Sequence, residues 1–192
     1  NHTETIEVLL DAGCPVDVMA DSGFTPLLNA AGPGSTETIS RLLAAGADPN
    51  VREFGLLRSP LSCAADYGNA EVAQLLIDAG ARIDEKPRGV TALMTAAESS
   101  DGMETVRVLL QAGADPRIAD DGTDEEFVGM TAADYARRMG NTLIADFIDA
   151  WKRSAPTGLL AESAPAGPAP PRSSMPAKGS LTGHRAFGGS VR

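Results

Sequence analysis

Four glycines, Gly13, Gly46, Gly80 and Gly113, recur at spacings of 33, 34 and 33 residues, each just after a pair of aliphatic residues. A fixed period in this range constrains the fold more than any single motif. It marks an array of similar supersecondary units, none of which can bury its apolar face alone. The aliphatic pairs are Leu9-Leu10, Leu42-Leu43, Leu75-Leu76 and Leu109-Leu110, and a weaker Phe147-Ile148 follows. Upstream of these lie Gly23-Phe24-Thr25-Pro26-Leu27, Ser59-Pro60-Leu61, Gly89-Val90-Thr91-Ala92-Leu93 and Gly129-Met130-Thr131-Ala132-Ala133.

The residue types define one unit. Thr25, Ser59, Thr91 and Thr131 stand where a hydroxyl accepts from a free backbone N–H at a helix start. Pro26 and Pro60 follow at the first helical position, where a missing donor costs nothing. Gly68 and Gly140 permit a reversal after this short first helix. A second helix then carries one apolar stripe: Ile39, Leu42 and Leu43; Val72, Leu75 and Leu76; Val106, Leu109 and Leu110. The recurring glycine suits the left-handed position that ends many helices.

The stretches Thr25-Pro26-Leu27-Leu28-Asn29-Ala30-Ala31, Ser59-Pro60-Leu61-Ser62-Cys63-Ala64-Ala65 and Thr91-Ala92-Leu93-Met94-Thr95-Ala96-Ala97 resemble the ankyrin repeat family. That family has a period of about 33 residues and a T-P-L-H-x-A signature. Leu28, Ser62 and Met94 stand where the signature has His, so that side chain's hydrogen bonds are expected to be weaker or absent. The resemblance implies an all-α solenoid of stacked helix–turn–helix units with protruding loops. It covers residues 1–153: a partial repeat at 1–20, repeats at 21–50, 51–84 and 85–119, and a C-terminal capping repeat at 120–153. The cap is read from the polar first helix Asp134-Tyr135-Ala136-Arg137-Arg138 and from Trp151-Lys152-Arg153, which would close the stack. Asn1-His2 falls at a turn between two helices, so the chain reads as a fragment. Residues 154–192, rich in Pro, Ala, Gly and Ser, lack apolar periodicity and are expected to be disordered. Pro168 and Pro171 have the spacing of an extended docking peptide.

Charge narrows the partners. Residues 1–151 carry 10 Lys/Arg against 25 Asp/Glu, and residues 152–192 carry 6 against 1. An acidic body repels phosphate backbones, which argues against nucleic acid. No apolar run reaches membrane-spanning length. Cys14 and Cys63 are expected at small, buried positions rather than in a disulfide, which favours a reducing, cytoplasmic setting. The match of Asn1-His2-Thr3 to a glycosylation acceptor is the kind that arises by chance.

No catalytic set emerges. His2 and His184 lie at a turn and in the tail, away from any nucleophile, and no C-x-x-C, H-x-x-x-H or phosphate-loop pattern occurs. The acid-rich tip Asp120–Phe127 fails the spacing of a calcium loop and reads as an exposed acidic tip. Neither cofactor nor metal is implied.

The resemblance implies non-catalytic recognition of another protein by a monomer, through the concave face built from loop tips and first helices. Carried over position by position, it selects Met19, Asp21, Phe24, Arg52, Phe54, Leu56, Arg58, Lys86, Arg88 and Val90 on the tips, with Leu28, Asn29, Ser62 and Met94 from the first helices. The second tip, Arg52-Glu53-Phe54-Gly55-Leu56-Leu57-Arg58, carries three large apolar residues. Either it is a contact surface, with Phe54 and Leu56 as anchors, or Phe54 and Leu57 fold back on the helices beneath. Two other functions stay open: a regulatory or targeting appendage of a larger enzyme, and a structural spacer.

Overall fold

A computed structural model of the chain describes residue 8 and residues 12–55, 57–122 and 124–154. The expectations for the tail and for most of the opening half-repeat therefore fall outside the described residues, as does Leu56.

Helices come in antiparallel pairs: α1 (Pro26–Ala31) with α2 (Thr36–Ala44), α3 (Pro60–Asp66) with α4 (Ala70–Asp78), α5 (Ala92–Glu98) with α6 (Met103–Gln111), and α7 (Ala132–Arg138) with α8 (Thr142–Ser154). First helices stack on first helices in the order α1, α3, α5, α7, and α2, α4 and α6 form a second layer behind them. A helix of six or seven residues is too short to stand alone in water, so these first helices exist because they are packed. Their starts are built as expected. The Thr25, Ser59 and Thr91 hydroxyls accept from the N–H groups of Leu28, Ser62 and Met94, three residues on. At Thr131 the arrangement is inverted, and the Asp134 carboxylate accepts both its N–H (3.0 Å) and its hydroxyl (2.7 Å).

One continuous seam runs between the layers. Ile39, Leu42, Val72, Leu76, Val106 and Leu109 from the second helices meet Leu27, Leu61, Leu93 and the alanines of the first, all buried. Leu43, Leu75 and Trp151 are half-buried against the same cluster. Small residues let the short first helices approach one another: Ala31, Ala64, Ala65, Ala96, Ala97, Ala133 and Ala136 are fully enclosed. Phe147 in α8 is roofed by the Arg107 guanidinium of α6, 4.9 Å from its centroid.

Polar side chains repeat with the same period and tie each pair to the next. The Asp17 carboxylate accepts the Asp48 N–H (3.2 Å), Asn50 Oδ1 accepts the Arg82 N–H (2.8 Å), and Asp84 accepts the Asp115 N–H (3.1 Å). Each bond spans one repeat and satisfies a backbone donor that the loop would otherwise leave free. The cysteines divide: Cys63 is buried as expected, but Cys14 is exposed, because no helix among the described residues covers it.

Candidate binding face

The tips rise from the stack at the entrances to the first helices. In the second tip the Glu53 N–H donates to the Arg58 carbonyl (3.3 Å), closing a hairpin that carries Phe54 and Leu57 at its turn. Phe54 is 74% exposed. Its ring lies against Gly23 of the preceding tip, where a Cβ would meet Phe54 Cδ2 at 2.9 Å. Phe54 and Leu57 do not fold back on the helices beneath: both are exposed, as are Met19 and Val18 on the neighbouring tip. Leu57 has φ 57°, a conformation that costs a bulky residue about 1–2 kcal/mol. Arg88, on the next tip, has φ 58°.

Ion pairs brace the tips sideways. Glu85 receives Arg52 (2.7 Å) from the second tip and Arg82 (2.7 Å) from its own, and Lys86 reaches Asp121 (2.5 Å) on the fourth. Burial raises the Glu85 carboxyl, but its bonds from Arg82 and Arg52 outweigh that and hold it below the usual carboxylate range. Backbones of the third and fourth tips press together so closely that a Cβ on Gly89 would lie 2.1 Å from Gly122 N. Only glycine fits such an approach.

Between these tips and the first helices opens a cleft of about 380 Å³. Arg58, Ser62 and Asp66 form one wall, Arg88, Val90, Thr95 and Glu98 the next, and Asp120, Asp124, Phe127 and Tyr135 the far side. Arg58 is bound to Asp66 (2.6 Å). Arg88 is exposed and meets no carboxylate among the described residues. Phe127 stacks on Tyr135 with centroids 5.4 Å apart, and the Arg138 guanidinium covers it at 4.6 Å. The Tyr135 hydroxyl donates to Asp120, whose other oxygen accepts the Gly122 N–H (2.7 Å). Burial, then Asp120, pushes the Tyr135 phenol far above its ordinary range. Burial likewise pushes the Cys63 thiol up, away from a reactive thiolate. Among the described residues no group of His, Cys, Asp and Glu is placed to hold a metal ion.

The cleft gathers Arg58, Ser62, Arg88 and Val90 from the residues that sequence reasoning selects. Met19, Asp21, Asn29 and Phe54 are exposed on the same side chain row of tips and first helices, Phe24 is half-buried, and Arg52 and Lys86 are spent on ion pairs. Leu28 and Met94 are corrected, and Ser62 in part. Leu28 and Met94 are buried at 2% and 0% exposure, and Ser62 at 8% shows only an edge to the cleft. Each sits three residues after its helix cap and turns inward: Ser62 Oγ accepts the Ser59 N–H (2.9 Å), and Met94 Sδ lies 3.4 Å from the Thr91 nitrogen. In the acid-rich fourth tip Asp121, Asp124, Glu125 and Glu126 are exposed as expected, and only Asp120 departs from that reading by turning inward. Sequence reasoning missed Asp66, Thr95 and Glu98. Asp66 and Glu98 are the last residues of their first helices and Thr95 directly follows the buried Met94, so no local pattern singled them out.

Comparison with known proteins agrees with this architecture. A family model described as ankyrin repeat matches residues 22–53, and one described as ankyrin repeats in three copies matches residues 53–120. The chain belongs to the ankyrin repeat family. It is 35% identical over 126 residues to cyclin-dependent kinase 4 inhibitor B of Rattus norvegicus, a match spanning 65% of the chain and 90% of that protein. It is 31% identical over 121 residues to the ankyrin repeat and KH domain-containing protein mask-1 of Caenorhabditis elegans, covering 62% of the chain. A putative ankyrin repeat-containing protein of Treponema pallidum is 30% identical over 149 residues, or 77% of the chain. The chain spans only 5% and 47% of the lengths of these last two relatives. No helix among the described residues is long and apolar enough to cross a membrane.

Proposed function

We propose that this ankyrin repeat chain is a non-catalytic module that recognises another protein through its tips and first helices, with α7 and α8 as the terminal cap. The observation that carries the reading is the second tip. Its hairpin holds Phe54 in solvent at a conformational cost on Leu57, the residue next to the Arg58 that lines the cleft. Strain of this kind persists where the surrounding structure enforces it, and it clusters at binding sites. The rat relative, by its name an inhibitor of a kinase, supports recognition without catalysis.

The test joins Phe54→Ala with Leu57→Ala, since Leu56 lies outside the described residues. Toward a protein captured by the full chain, the pair weakens affinity by about tenfold or more. The melting temperature holds or rises, because neither side chain belongs to the core. Unchanged affinity removes the reading. The small share of the Caenorhabditis elegans relative that the chain spans favours a second reading, in which the same face serves a larger protein as an appendage.

A further inference from the structure

The cleft between the third and fourth tips has an unbalanced charge. Four carboxylates (Asp66, Glu98, Asp120 and Asp124) face two guanidinium groups, those of Arg58 and Arg88. Three of the four acids are engaged: Asp66 with Arg58, Asp120 with Tyr135 and the Gly122 N–H, and Asp124 with the Glu126 N–H (3.2 Å). Glu98 is half-buried at the end of α5, and its carboxylate meets no donor or cation among the described residues. A carboxylate held beside Asp66 and partly out of water is stabilised by any cation that enters. Val90 and Phe127 in the same lining offer apolar surface of the kind that takes the methylene stem of a long basic side chain.

We propose that Glu98 receives a single lysine or arginine of an extended segment of the partner protein, its stem lying along Val90 and Phe127. This deepens the recognition reading and rests on it. The exposed Arg88 and the Arg58 beside it oppose a polybasic tract, so one basic residue with neutral neighbours is the segment that fits. The net acidity of the surrounding body, 25 acidic against 10 basic side chains over residues 1–151, steers such a segment inward.

The test uses the full chain and two short labelled peptides that differ only at a central residue, arginine or its neutral isostere citrulline, followed by fluorescence anisotropy. The arginine peptide binds about tenfold tighter, and raising the salt narrows the gap. Glu98→Gln abolishes that preference without shifting the melting temperature, and Glu37→Gln on α2 leaves it intact. Equal affinity for the two peptides up to millimolar concentration, or a preference that survives Glu98→Gln, overturns the proposal. A peptide copied from residues 155–192 that binds through Glu98 more tightly than the arginine peptide overturns it too, by assigning the cleft to this chain's own basic segment. A captured partner that depends on Phe54 but is indifferent to Glu98→Gln leaves the recognition reading standing and removes the basic side chain.

Discussion

Ser35, Asn69, Gly102 and Asn141 occupy one register, the turn that enters each second helix, and they show what a single residue decides. Ser35 Oγ accepts the Thr38 N–H (3.2 Å) and lies 3.0 Å from Thr38 Oγ1. Asn69 accepts the Val72 N–H (3.2 Å), and Asn141 donates back to the carbonyls of Ala97 (3.1 Å) and Glu98 (2.9 Å). At the third unit the chain comes so close that a Cβ on Gly102 would lie 1.8 Å from the Ala96 carbonyl oxygen. Glycine is forced there, and the cap is forfeited. The consequence falls on Thr105, in register with Thr38: its buried hydroxyl has no partner among the described residues. Replacing an orphaned buried hydroxyl by a methyl removes a desolvation cost of about 1–3 kcal/mol. Thr105→Val should therefore raise unfolding free energy by about 1 kcal/mol, read by denaturant titration, while Thr38→Val should lower it. A stabilising Thr38→Val would contradict this account.

At the scale of the element, the fourth tip shows how a lengthened loop becomes ordered structure. The Asp120 N–H donates to the Met130 carbonyl (2.9 Å), the Gly129 N–H donates back to Asp120 (2.8 Å), and Ala119 bridges Thr131. Inside this loop the Asp120 carboxylate holds Tyr135. Burial and Asp120 both favour the neutral phenol in the folded state, whereas an unfolded tyrosine ionises near 10.0. Above that pH the native state binds more protons than the unfolded one, so stability falls as pH rises, and below it nothing is lost. The urea midpoint of the native chain should drop from about pH 10 upward, and Tyr135→Phe should flatten that limb. An equal alkaline loss in Tyr135→Phe would show that other groups govern it. The sequence showed this tip's length and acid content, but it could not show that one acid of the run turns inward.

For the whole molecule, each helix pair touches only its neighbours, so stability is a sum of unit and interface terms. Leu93 is buried in α5, which packs against α3 on one side and α7 on the other. Leu93→Ala should cost about 2–5 kcal/mol. It should also strip amide-exchange protection from both flanking interfaces, and loss confined to α5 and α6 would argue against an additive stack.

The period, the helix caps and the apolar stripes were legible in the sequence because they are local. A hydroxyl three residues from a free N–H, or an aliphatic residue at every third or fourth position, meets its partner within one or two turns whatever the rest of the chain does. These repeated local choices determined the solenoid. What lies between repeats was decided only by the tertiary structure. Leu28 and Met94 went inside because the position three after each helix cap faces the packed neighbours, and only the stacking of the first helices decides which face that is. The Glu98 carboxylate was left without a donor among the described residues because its neighbours across the stack are Asp66 and the Tyr135–Asp120 pair. Such relations join residues well separated along the chain, and their distances follow from how closely small side chains let adjacent backbones pack.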